Sequence, residues 1–222
     1  MNKIIKIKEE KLEKQNVGTF LYCDKKELNF CERPTSVMFE VKEDCVGDGE
    51  KYSMNFDSYV AKFMDICPKI NNKPSLLFLN CVPKDPVNVL NGKTKTYKFV
   101  SGLEKDEDLE TFNTEPSITC VASGVVDALE RLVMSRNDGV AKTDVYVFFN
   151  SPEDYKTLKY TPSLDAVVTV SRSRKIYFVL NFQNPEKFIE TYGKEMYETI
   201  GAYCPVKFLC NKNGVVDIQI ER

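Results

Sequence analysis

The chain has 222 residues, 42% hydrophobic and 29% charged, with 31 basic and 33 acidic side chains and a formal charge of -2. Such a composition fits a globular protein of one large domain or two of roughly 100 residues, and the near-balance of charge argues against a conventional sequence-specific DNA binder. Histidine is absent, which excludes Ser-His-Asp and Cys-His catalysis within one chain and zinc sites that use imidazole.

The Lys/Glu-rich start lacks the apolar stretch of a secretory signal. No apolar run approaches the roughly 20 residues of a membrane helix. An intracellular protein without membrane contact is expected. Eight cysteines (Cys23, Cys31, Cys45, Cys67, Cys81, Cys120, Cys204 and Cys210) contain no Cys-x-x-Cys pair. Several sit in apolar runs and read as reduced core residues.

In chain order, Lys3 to Lys14 is helix-permissive. Thr19–Cys23 and Glu27–Cys31 read as a hairpin across Asp24-Lys25-Lys26. Ser36–Val41 is a predicted strand, Gly47-Asp48-Gly49 a turn, and Lys51–Phe56 a further strand. Asp57 or Ser58 can cap a helix carrying Tyr59, Val60, Phe63, Met64 and Cys67 on one face. Ser75–Leu79 reads as a buried strand, and Asn91-Gly92 as a tight turn into Thr94–Val100. An acidic run, Glu104 to Glu110, follows.

Ile118–Val121 is a predicted strand. Ser123 can cap a helix bearing Val125, Val126, Leu129, Leu132 and Val133, ended by Asn137-Asp138-Gly139. Asp144–Phe149, Ala166–Val170 and Ile176–Leu180 are predicted strands, the last two flanking a basic hairpin loop, Ser171–Lys175. Asn184-Pro185 opens one helix running to Gly201, with Phe188, Ile189, Tyr192, Met196 and Ile200 buried. Pro205–Cys210 and Val215–Ile220 close the chain as a hairpin across Asn211–Gly214.

Hairpin connections favour an α+β class: antiparallel sheets with helices packed on one face. The layout divides into 1–102, an acidic linker 103–116, and 117–222. No P-loop, Rossmann glycine pattern or G-x-S-x-G elbow is present. No cofactor or metal site is expected, and no enzymatic activity. The acidic run reads better as a solvated linker than as a Mg²⁺ site, because metal-dependent catalysis draws carboxylates from separated rigid elements.

Basic residues recur on helix faces: Lys3, Lys6, Lys8, Lys11 and Lys14 in the first segment, Lys62 and Lys69 on the second helix, Arg131 and Arg136 on the third, Lys187 and Lys194 on the fourth. They can contact phosphates without reading bases, or form ordinary solvated faces. Arg172, Arg174 and Lys175 cluster more tightly. They suit a phosphate backbone, an acidic partner or protection of a sheet edge.

This order of elements resembles the sliding clamps of tailed phages, polymerase processivity factors related in fold to proliferating cell nuclear antigen. The resemblance rests on the Lys-rich opening segment, Met54 to Phe63, Val121 to Leu132, and the closing unit from Ile176 through Gly201 to the last hairpin. It implies two tandem clamp-like domains, a homotrimeric ring around duplex DNA, a DNA polymerase and a clamp-loader ATPase as partners, and the basic residues above as the DNA-facing set. The runner-up is a monomeric or dimeric viral interaction module acting on a host factor. A third reading is a carboxylate-dependent nuclease or transferase using Asp127, Asp144 or Asp165.

Overall fold

Five-residue runs such as Ser75-Leu76-Leu77-Phe78-Leu79 are buried along their whole length. A strand apolar at every position must be covered on both faces, which is the habit of parallel sheets enclosed by helices. The computed structural model of the chain has this architecture. It describes residues 35–41, 55–66, 74–79, 81, 96–100, 117–121, 126–136, 143–151, 164–211 and 214–220.

The elements are β1 (Val37–Val41), α1 (Phe56–Ile66), β2 (Ser75–Leu79), β3 (Thr96–Val100), β4 (Ser117–Val121), α2 (Val126–Ser135), β5 (Val145–Asn150), α3 (Leu164–Ser171), a 3-10 turn (Arg172–Arg174), β6 (Ile176–Phe182), α4 (Pro185–Tyr192), α5 (Lys194–Ala202), β7 (Val206–Asn211) and β8 (Gly214–Ile220). All eight strands form one sheet, in the order β3-β4-β2-β5-β6-β1-β7-β8. Every neighbouring pair from β3 to β7 is parallel. Only β8 runs antiparallel, as a hairpin with β7 closing at Asn211 and Gly214.

Alternate strand residues project to opposite faces. On one face Met38, Leu77, Val147, Phe178 and Leu180 pack beneath α2, α3, α4 and α5, through Leu132, Val133, Val167, Val168, Phe188 and Ile200. On the other, α1 lays Phe56, Tyr59 and Phe63 against the sheet. There Phe39 stacks on Phe208 at 4.7 Å between centroids, and Phe63 meets Phe148 edge-on at 4.8 Å. Edge-to-face pairing adds about 0.5–1.5 kcal/mol beyond area burial.

The expected fold class is therefore corrected. The chain is α/β with a doubly wound, mainly parallel sheet, not two tandem antiparallel clamp-like units. β1 and β2, from the first half of the sequence, are inserted among strands of the second half. Five local expectations change with it. Ala166–Val170 lies within α3, where Leu164, Val167, Val168 and Ser171 are buried at helical spacing. Ser171–Lys175 is a 3-10 turn, not a hairpin loop. The helix expected from Asn184 to Gly201 is broken into α4 and α5 at Gly193, whose φ of 92° and ψ of 151° no other residue adopts readily. Thr96–Val100 pairs parallel with β4, and Phe56 begins α1 instead of ending a strand. The expected opening helix, the 19–31 hairpin, both early turns and the 103–116 linker lie outside the described residues.

Candidate functional site

In an open parallel sheet, ligands sit outside the carboxyl ends of the strands where the chain reverses its winding direction. Here that point lies at β1. From β1 the chain passes through α1 to β2 on one side, while from β6 it passes β1 to reach β7 on the other.

The carboxyl edge beside this point is lined by amides. Asn150 ends β5 and faces Asn181 of β6 in register. Asn181 Nδ2 donates to Asn150 Oδ1 at 2.8 Å, and Gln183 Nε2 donates to the same oxygen at 3.0 Å. Ser151 N–H donates to the Asn181 carbonyl at 2.9 Å, while Ser151 Oγ accepts from Gln183 N–H at 3.1 Å. α1 begins on this edge with a reciprocal cap: Asn55 Oδ1 accepts from Ser58 N–H at 2.9 Å, and Ser58 Oγ accepts from Asn55 N–H at 2.8 Å. Cys81, just past β2, points its thiol at the Phe148 carbonyl at 3.6 Å. Burial, with Cys120 close by, pushes that thiol up to about 12, so it is no thiolate nucleophile at neutral pH. Among the described residues no cluster of three cysteines or carboxylates can hold a metal ion. Two carboxylates share this edge with the amides: Glu40, buried near the end of β1 beside Phe182, and Asp57 in the first turn of α1. Sequence reading passed over Asn150, Ser151, Asn181 and Gln183, because their only signal is a polar residue ending a fully apolar strand. That signal has meaning once the strands are known to be parallel.

The opposite, amino edge carries a cluster of basic side chains. Arg136, expected to face DNA, is 1% exposed. Its Nε donates to the Arg174 carbonyl at 3.0 Å, and its Nη2 donates to the Thr143 carbonyl. Arg174 reciprocates: its Nη1 donates to the Val133 carbonyl at 2.5 Å and reaches Met134 Sδ at 3.6 Å. The two guanidinium groups thus clamp the turn 172–175 to the end of α2, where the Val133 carbonyl also accepts from the Arg136 N–H at 3.3 Å. Burial lowers the Arg136 pKa, opposed by Asp144, and raises that of Asp144, opposed by Lys175 and Arg136. Tyr177, in the same cluster, is pushed up to about 12 by burial and then by Asp144.

Lys175 adopts a left-handed conformation, φ 57° and ψ 39°, at a cost of roughly 1–2 kcal/mol for a residue with a Cβ. Its side chain and that of Arg172 are exposed. The large apolar side chains exposed among the described residues are Met134 (62%), Tyr203 (44%) and Val170 (37%). Met134 and Val170 lie in the last turns of α2 and α3, and Tyr203 directly follows α5.

Of the remaining basic residues expected to face DNA, those with described side chains, Arg131, Lys187 and Lys194, lie on three different helices. Arg131 is half-buried on α2 and Lys187 half-buried on α4. Lys194 is 3.4 Å from Glu198 one turn along α5, among the exposed Glu186, Glu190 and Glu195. Lys62 belongs to α1, with its side chain outside the description, as are Lys3, Lys6, Lys8, Lys11, Lys14 and Lys69 entirely. No helix among the described residues is long and apolar enough to cross a membrane.

Fold and edges together define a doubly wound α/β domain with an amide-lined carboxyl edge and a basic, partly apolar amino edge. Residues 153–218, less than a third of the chain, match the protein family described as the TraM recognition site of TraD and TraG. No curated protein and no solved structure matches the chain. The match runs from α3 through the turn, β6, α4, α5 and β7 into β8. It overturns the resemblance to phage sliding clamps. With that resemblance fall the ring-forming processivity function and the polymerase, clamp loader and encircled duplex as partners.

Proposed function

We propose that this chain is a protein-recognition domain, with its recognition surface within the 153–218 segment and a TraM-type protein as its partner. The observation that carries this reading is the match of that segment to a TraM recognition site. The geometry suits it. Phe188 is the one buried residue of α4, and Ile200 and Gly201 those of α5. Phe182, Phe188 and Tyr197 anchor both helices to the sheet, with Tyr192 and Met196 packed against the same core. A segment anchored to a rigid sheet presents a preformed surface, which lowers the entropic cost of docking. The reading assigns no catalytic step.

Isothermal titration of the intact chain with purified TraM tests the proposal, with crosslinking and mass spectrometry to map the contacts. Saturable binding with crosslinks concentrated between residues 153 and 218 is expected. Absence of binding, or crosslinks confined to residues before 153, would overturn it.

A further inference from the structure

Among the described residues, the amino edge of the sheet holds more cations than the one half-buried carboxylate beside them, Asp144, balances. Arg136 and Arg174 already clamp α2 to the 3-10 turn, yet the turn carries two more cations, Arg172 and Lys175, with exposed side chains. Lys175 occupies a left-handed position that glycine would fill without strain. Strain kept at a specific side chain points to a use for that side chain. Around this turn, exposed apolar side chains are supplied by Met134 and Val170. The turn is tied to both: Arg174 reaches Met134 Sδ at 3.6 Å, and Ser173 Oγ donates to the Val170 carbonyl at 3.0 Å. α5, packed against α3, ends at the exposed Tyr203 on the same edge. Cations interleaved with methionine and aromatic surface match interface composition, in which arginine, methionine and tyrosine are enriched.

We infer that this edge is a docking site for an acidic segment of a partner protein, one bearing apolar side chains between its carboxylates. Arg172 and Lys175 attract and orient the carboxylates, and Met134, Val170 and Tyr203 receive the apolar side chains. The charge of the patch selects this occupant, since a purely apolar or basic segment gains nothing from the cations. The inference rests on the protein-recognition reading above and locates its contact at the amino edge instead of on the outer faces of α4 and α5, where Glu186, Glu190, Glu195 and Glu198 would repel the same segment.

The test uses the intact chain and a fluorescein-labelled peptide of repeated Glu-Glu-Leu, read by anisotropy. Binding should weaken with salt, and about tenfold or more on replacing Glu by Gln in the peptide or on the double substitution Arg172→Glu/Lys175→Glu. Glu190→Lys/Glu198→Lys on the other surface should not weaken it. Lys175→Gly removes the charge and the backbone strain together. It should weaken binding while keeping a cooperative melt, which separates lost contact from lost folding. A wild-type chain that ignores the peptide, or binding that none of the amino-edge substitutions moves, overturns the inference. So does light scattering that shows self-association abolished by Arg172→Glu/Lys175→Glu, because the occupant would then be a second copy of this chain. Titration of the same variants with TraM keeps the two proposals apart. TraM binding that survives Arg172→Glu/Lys175→Glu leaves the recognition reading standing and removes the amino-edge site.

Discussion

At the scale of single residues, the arginines at the end of α2 show how misleading a basic side chain is when read by charge alone. Arg136 directly follows α2 and looks solvent-facing in sequence, yet it is one of the largest fully buried side chains. Its guanidinium is planar, with donors diverging at fixed angles. It can therefore serve the Arg174 and Thr143 carbonyls together. Replacing it with leucine leaves those two carbonyls without their guanidinium donor and leaves Asp144 with Lys175 as its remaining cationic neighbour. Arg136→Leu should destabilise the protein by about 2–4 kcal/mol. Lysine should recover only part of this, because one ammonium cannot span both acceptors. Urea denaturation of the three proteins checks both statements. Equal stability of Arg136→Leu and the parent would show that the clamp contributes nothing.

At the scale of elements, the break between α4 and α5 shows what a single glycine decides. Apolar residues from Phe188 to Ile200 keep helical spacing across the join, so the sequence reads as one helix. Asn184 caps its start through Oδ1 accepting from Lys187 N–H at 3.0 Å, and Pro185 fits the first turn. The break is conformational: the Gly193 N–H bonds to the Ile189 carbonyl and closes α4, while its extended, positive-φ backbone redirects the chain into α5. A Cβ at Gly193 meets nothing within 4 Å, so Gly193→Ala incurs backbone strain alone, about 1–3 kcal/mol. Thermal melts should show that loss, and an unchanged Tm would mean that the join accepts an ordinary helical conformation. Sequence periodicity found α1, α2, the N-terminus of α4, the β7–β8 hairpin and most strands. It failed at α3, where Ala166-Val167-Val168-Thr169-Val170 has strong β-propensity but packs as a helix through Leu164, Val167 and Val168. Long-range packing overrode local preference there, and no local pattern carries that information. The amide-lined carboxyl edge was illegible for a related reason: Asn150 and Asn181 lie 31 positions apart and become neighbours only through the parallel pairing of β5 and β6.

At the scale of the whole molecule, strand direction is what separates the expected architecture from the observed one, and it has a consequence for folding. Antiparallel hairpins would let residues 1–102 and 117–222 each close a core of their own. The observed order instead places β1 between β6 and β7, and β2 between β4 and β5. Val37, Met38 and Phe39 are buried between those neighbours, and Phe78 stacks on Phe148 at 4.7 Å across the β2–β5 pair. The acidic run that reads as an interdomain linker joins β3 to β4, adjacent strands of the same sheet. Without β1, a fragment of residues 117–222 would leave β6 and β7 with unpaired parallel edges and apolar faces, a template for aggregation. Neither half should therefore fold alone. The full chain should unfold in a single transition seen alike by far-ultraviolet circular dichroism and tyrosine fluorescence. The 117–222 fragment should lack a cooperative melt and gain one when co-expressed with 1–102. Two resolved transitions, or a soluble 117–222 fragment with a sharp melt, would mean that the halves are independent and that the interleaved sheet is not what holds the protein together.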